Sequence, residues 1–192
     1  MSVTYEQAHD AIAARLGETA LAHCERVAET AGALALVYSV DVESARLAGL
    51  LHDWDRERSG DELLAAAEAA RIPSPAETRT SPYLLHAHTG AQAVAEALPG
   101  IDGAVLAAIA AHTVGSPTMS DLDKVVWLAD MLEPARDFDG VDDLREVVGT
   151  LSLDELFARA YQHSVAHLVA TRRPIHPETV AVWNAMVAEV RS

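Results

Sequence analysis

Six residues of types that bind metal ions recur on the inward faces of separate helical stripes: His23, His52, Asp53, His86, His112 and Asp130. His23 lies four residues before Val27, on a stripe that continues through Ala31, Leu34, Ala35 and Tyr38. Ala45, Ala48 and Gly49 share the face of His52, while Gly90, Val94 and Ala97 continue that of His86. Val105, Ala108 and Ile109 lead onto His112, and Met119, Leu122 and Val126 lead onto Asp130. Each assignment uses the three-and-four recurrence of a helix. A single histidine on an apolar face is ordinarily a core residue with a hydrogen-bond partner. Five helices that each aim a histidine or aspartate inward, with Asp53 as a sixth group, need a common partner. Burying an unpaired carboxylate or several dry imidazoles is costly, and a divalent metal satisfies them together.

Four imidazoles and two carboxylates suit Fe, Mn, Co, Ni or Zn better than Mg or Ca, which prefer all-oxygen shells. Six groups exceed what one ion can take while also holding substrate and water. They suit two ions bridged by one carboxylate. Adjacent helical residues diverge by about 100°. At a helix end, however, His52 can bind one ion while Asp53 swings across to bridge both.

These side chains need a helical frame. Punctuation divides the chain into blocks at roughly 5–16, 20–38, 42–53, 60–71, 84–98, 102–112, 119–132, 140–149, 152–171 and 176–190. "SPAETRTSP" (74–82), "HTVGSPTMSD" (112–121) and "LEPARDFDGVDD" (132–143) read as loops, with Ser120 a candidate N-cap. No alternating β pattern, internal repeat, low-complexity tract or linker stands out, so the expectation is one all-α domain over 1–192. Half of the 192 residues are hydrophobic, ample for a core.

The net charge of −15 makes a nucleic-acid duplex or an anionic membrane an unfavourable partner. A small anionic substrate remains compatible, provided metal and a few arginines reverse the field locally. The single cysteine, Cys24, allows no intrachain disulfide, and a reducing cytoplasm is the natural compartment. The charged N-terminal helix lacks a signal-peptide core, and no run of about 18 apolar residues suggests a membrane span.

The order His23 … His52-Asp53 … Asp130 resembles the HD superfamily of metal-dependent phosphohydrolases, and His86 and His112 resemble the additional ligands of its dinuclear members. "LLHAHTGAQAV" (84–94), "AAHTVGSPTMSDLDKVVWLADMLEPARDFDGVDDLRE" (110–146) and "PIHPETVAVWN" (174–184) are similar to the YqeK-type symmetrical diadenosine tetraphosphate (Ap4A) hydrolases. The similarity covers about residues 20–187 and leaves the N-terminal helix as an addition.

The resemblance implies an HD-domain helical bundle with two divalent transition metal ions, commonly iron, and cleavage of Ap4A to two ADP. By position, His23, His52, Asp53 and Asp130 would hold one ion and Asp53, His86 and His112 the other. A hydroxide between them would attack phosphorus. Asp53 and Arg56 are then the catalytic candidates, and Arg136 and Thr113 the candidates for binding substrate phosphate. Three positions depart from the family pattern: Ala20 and Ser116 stand where arginines are usual, and Arg56 where a lysine is usual. Two rivals therefore stand beside Ap4A hydrolysis. One is an HD phosphatase acting on a smaller nucleotide or another phosphate ester. The other is a non-catalytic metal- or nucleotide-binding HD domain. The oligomeric state stays open, a homodimer included.

Other chemistry-bearing residues read as structural. His88 would point away from His86 on a helix, as a rim or surface residue. His163 and His167 have metal-binding spacing but no evident third ligand. His9 and His176 read as surface or capping residues, Lys124 as an ion-pair partner, and Trp54 and Trp127 as core or pocket wall. "DFDGVDD" lacks a full calcium-loop pattern and reads as a turn and helix start.

Overall fold

The computed structural model describes residues 3–189, and among these every regular element is helical. The helices are α1 (Tyr5–Ala13), α2 (Glu18–Tyr38), α3 (Val42–Leu51), α4 (Gly60–Ala69), α5 (Ala76–Thr80), α6 (His86–Ala97), α7 (Gly103–Ala111), α8 (Asp121–Leu132), α9 (Val141–Glu146), α10 (Leu153–Ala170) and α11 (Pro177–Glu189), with a 3₁₀ turn at Pro82–Leu85. No helix among the described residues is long and apolar enough to cross a membrane. Position 190, the end of the last expected block, lies outside the described residues.

Local chemistry sets several helix starts. Ser59, Ser120 and Ser152 each accept a backbone N–H three residues on, and Glu62, Asp123 and Glu155 reach back to the cap N–H. Asp41 caps α3 through the Ser44 N–H at 2.8 Å. The loop expected at 74–82 is more ordered than its prolines suggest. Pro75 opens α5, and the Thr78 hydroxyl returns to the Pro75 carbonyl at 2.7 Å. Ala97, expected on the inward face of α6, is exposed, and Val94 and Leu98 fill the core at that end of the helix instead.

The core is built by α2 packed along α3 and α8, with α7 wedged among α3, α6 and α8, and α10 covering α8. Gly49 lets α3 approach α2. A Cβ there would lie 3.0 Å from the Ala28 Cα and 3.0 Å from the Val27 carbonyl oxygen, both backbone atoms that cannot swing aside. The block expected over 42–53 stops at Leu51. Beyond it, the Trp54 N–H bonds the Leu51 carbonyl at 3.1 Å and the Arg56 N–H that of Asp53 at 2.9 Å, a tighter i to i+3 winding. That change of winding turns Asp53 relative to His52.

Gly49→Ala should therefore destabilise by about 1–3 kcal/mol through forced separation of α2 and α3. Gly103→Ala, where a Cβ meets nothing within 4 Å, should be neutral or stabilising by up to about 1 kcal/mol. Urea unfolding midpoints of the two variants check this. A Gly49→Ala protein as stable as wild type would contradict the tight approach.

Candidate metal centre

All six singled-out side chains meet in one cluster, each delivered near a helix end except His23. His52 is the C-cap of α3, His112 the C-cap of α7 and His86 the first residue of α6. Asp130 lies in the last turn of α8, and His23 in the second turn of α2. His52, Asp53, His86 and His112 are buried. Asp53 sits between two groups of ligands. Its Oδ1 lies 3.0 Å from His86 Nε2 and 3.6 Å from His112 Nε2. Its Oδ2 lies 3.4 Å from His52 Nε2 and 3.7 Å from His23 Nε2. Asp130 Oδ1 is 3.0 Å from His23 Nε2 and 3.8 Å from His52 Nε2. The cluster thus has a His86–His112 pole and a His23–Asp130 pole, with His52 and Asp53 between them.

The tautomers point to a cation. His52 Nδ1–H donates to the Gly49 carbonyl at 2.7 Å, His112 Nδ1–H to that of Ile109 at 2.7 Å, and His86 Nδ1–H to that of Tyr83. His23 Nδ1–H donates to Glu133 Oε1 at 3.2 Å. A neutral imidazole that donates from Nδ1 presents a lone pair at Nε2. Four such lone pairs face one another, and the Nε2 atoms of His86 and His112 are 3.0 Å apart. His52 Nε2 and Asp53 Oδ1 are buried without a hydrogen-bond partner. This donor set fits divalent transition ions, and His23, His52, Asp130 and His52, Asp53, His112 each place three donor atoms within 4.8 Å of one another. Burial alone would favour a neutral Asp53. Positive charge at the His52, His112 and His86 nitrogens, from protons or from bound ions in their place, outweighs it and holds the carboxyl well below the usual range. Asp130 is likewise held below the usual range against its burial, by such charge at His23 and His52 and by the Arg136 guanidinium.

A further ring of residues fixes these ligands. Glu133, buried directly after α8, accepts from His23, from Arg26 Nε at 2.7 Å and from the Ala135 N–H at 2.7 Å. Its carboxyl is held below the usual range despite burial, chiefly by Arg26. Arg15, just after α1, donates to the Trp54 carbonyl at 2.7 Å and to the buried Asp55 at 2.5 Å, and stacks over Trp54 at 5.2 Å. It thereby clamps the turn that carries His52 and Asp53. Beyond His112, Tyr161 donates to the Val114 carbonyl at 2.6 Å and Trp127 Nε1–H to that of Thr113 at 3.3 Å. Burial pushes the Tyr161 phenol up to about 12, so it stays a donor.

The cluster forms part of the wall of a cavity of about 730 Å³. Arg56, Thr113 and Arg136 also line it, together with Arg173 and His163, which sequence reasoning did not assign to a site. Arg56 Nη1 is 3.5 Å from Asp53 Oδ1. Thr113 Oγ1 is buried without a partner. Arg136 grips Asp130 with Nη2 and donates from Nε to the Asp130 carbonyl at 2.8 Å. His167 lies on the cavity wall too, whereas His88, half-buried and outside the cluster, has Glu178 Oε2 at 4.0 Å. His176 is buried and caps α11, accepting the Glu178 N–H at 3.2 Å, and His9 pairs with Glu25 at 2.8 Å. Lys124 pairs with Asp154 at 2.6 Å. Trp54 and Trp127 are buried. Glu133 and Arg26 were missed because they pair across 107 positions. The only local hint was an acid placed before Pro134, where α8 must stop.

The HD-domain family matches residues 20–135. The chain is 34% identical over 167 residues to a protein of Halalkalibacterium halodurans named bis(5'-nucleosyl)-tetraphosphatase, symmetrical, covering 87% of this chain and 88% of that one. It is 30% identical over 183 residues to a Bacillus subtilis protein of the same name, covering 95% and 97%. A Clostridium acetobutylicum crystal structure, described as a predicted HD superfamily hydrolase involved in NAD metabolism, superposes with a TM-score of 0.90 at 30% identity. That match covers 98% of this chain and 100% of the other.

Removing an outer hydrogen-bond partner of a metal-bound histidine typically lowers metal affinity 10–100-fold. Glu133→Ala should do the same at the His23 pole, and Glu133→Gln, which keeps an acceptor for His23, should recover part of it. Titration with Mn²⁺ measures both variants. Metal at about 100 times its Kd should also raise unfolding stability by about 2.7 kcal/mol, and a chelator should remove that gain. Wild-type affinity in Glu133→Ala would contradict the positioning role.

Proposed function

The chain belongs to the HD-domain family of hydrolases, among the symmetrical bis(5'-nucleosyl)-tetraphosphatases, and from that premise we propose that it splits diadenosine tetraphosphate into two ADP at a pair of divalent transition ions. One observation carries the reading: the two oxygens of Asp53 are shared between two separate groups of imidazoles, in a cluster whose His86, His112 and Asp130 line a single cavity. His23, His52, Asp53 and Asp130 would hold one ion, and Asp53, His86 and His112 the other, with iron our first choice of metal. Bound there, the ions would supply an acidified water and withdraw charge from the attacked phosphate.

The chain's own residues do the rest. The four Nδ1–H bonds hold each imidazole with its lone pair inward, so no ligand has to reorient when substrate arrives. The ionised Asp53 and Asp130 offset the positive charge of the centre. Arg56 beside Asp53 stands where it can meet a phosphate oxygen, and the free Thr113 hydroxyl can donate to another. Arg136 keeps Asp130 in place with Nε and one terminal nitrogen, leaving the remainder of its guanidinium for phosphate. These groups make the local field favourable to a polyphosphate although the chain carries −15.

A second reading, a phosphatase for smaller nucleotides, draws on Ala20 and Ser116 standing where family arginines are usual. Product analysis separates the two. The metal-loaded protein should convert each Ap4A to two ADP. AMP plus ATP, or cleavage of mononucleotides with Ap4A left whole, would favour the second reading. Asp53→Ala should lower turnover by more than about a hundredfold, exceeding the loss typical of an outer partner, with helicity kept. Full activity in that variant would refute the bridging role.

A further inference from the structure

The cavity is lined by His86 and His112 from one pole of the centre and by Asp130 from the other, and beside each pole its lining includes an aromatic side chain that the reaction at phosphorus does not use. Tyr83 belongs to the His86 pole, because its carbonyl accepts the His86 Nδ1–H. The residue is 53% exposed although it sits in a hydrogen-bonded 3₁₀ turn and lines the cavity. Phe138 belongs to the Asp130 pole. Its loop is tied there by Arg136, which donates to the Asp130 carbonyl, and by Arg145, which donates to the Arg136 carbonyl at 2.9 Å. The Phe138 ring packs 5.1 Å from that of His163, tilted by 39°, and both line the cavity beside Ser164 and Leu168.

A volume of about 730 Å³ is in the range that engulfs an extended organic ligand, well beyond a phosphate group alone. Flat rings stack on aromatic faces with little demand on orientation, which is how proteins hold nucleobases they need not read edge by edge. A mononucleotide would need one such face. Two faces, one at each pole with the ligands between, fit a molecule with a base at both ends and phosphates in the middle.

We propose that Tyr83 and the Phe138–His163 pair are two nucleobase platforms, one at each pole, that receive the two ends of a dinucleoside polyphosphate. The inference rests on the hydrolytic reading above and adds to it where the two nucleosides dock. It gives the centre a way to meet the middle of the chain: both ends are anchored before any phosphate is placed. It also lets a chain without the arginines at 20 and 116 select a long substrate by its bases.

The test is calorimetric binding to the metal-loaded protein of a methylene-bridged, uncleavable Ap4A analogue, with adenosine 5'-tetraphosphate as the one-nucleoside comparison. The variants are Tyr83→Ala, Phe138→Leu, which keeps apolar bulk, and the double variant, all checked for unchanged helicity and metal content. Each single variant should weaken the analogue about tenfold and the double about a hundredfold, as separated sites add. Adenosine 5'-tetraphosphate can use either platform, so a single variant should cost it only about twofold and the double about tenfold. Unchanged analogue affinity in either single variant overturns the proposal, as does equal loss of both ligands in a single variant, or wild-type protein that does not bind the analogue. Product analysis judges hydrolysis separately: two ADP from Ap4A alongside unchanged variant affinities would remove the platforms and leave the function intact.

Discussion

The structure depends on one electrostatic problem: a buried carboxylate, Asp53, facing imidazoles whose lone pairs all point inward. In a low-dielectric interior, four lone pairs and two carboxylates repel unless cations lie among them. Internal donors relieve only the carboxylates, through Arg136 on Asp130 and Arg56 beside Asp53, and none reaches the inward lone pair of His52. The fold uses the Nδ1 protons on backbone carbonyls and on Glu133 instead, which commits every Nε2 to the centre. A metal pair would convert this arrangement from a defect into a bonded network, and the stability of the region would then be linked to metal occupancy.

The surrounding architecture follows from that commitment. Ligands sit where helices end because a helix terminus frees a side chain from the strict 100° step. The tight winding after Leu51 is the clearest case, since it lets neighbouring residues address one centre. Gly49 brings α3 against α2 so that His52 and His23 are near each other, with ring centroids 5.2 Å apart. Arg15 locks the far side of the same turn, and Tyr161 and Trp127 lock the strand-free segment after His112. The six-residue cluster is therefore braced from α1, α8 and α10, helices that otherwise contribute only Asp130 to that cluster.

Much of this was legible in the sequence, for a definite reason. A ligand on a helix continues the apolar stripe of its own face, so periodicity alone aligned His23, His52, His86, His112 and Asp130, and the structure brings these together with Asp53. The helical class was equally plain, because no stretch alternates. Contacts between distant segments carried no such signal. Glu133 with Arg26, and Phe138 with His163, lie in loops or on apparently ordinary surface helices, and only packing joins them. Reading His163 and His167 as structural followed from the lack of an evident third ligand, whereas the fold lays both along the cavity wall. The short α5 was hidden by prolines that mark its boundaries without preventing its turn.

On the proposed reading, a chain this acidic would handle a polyanionic substrate by concentrating positive charge at one place: two bound ions, with Arg56, Arg136 and Arg173 around the same cavity. The ions are the centre of that account. Anomalous diffraction from crystals of the metal-loaded protein tests it most directly. The account predicts two peaks in each chain with Asp53 bonded to both, one oxygen toward His86 and His112 and the other toward His23 and His52. A single peak, or two peaks with Asp53 bonded to only one, would contradict it.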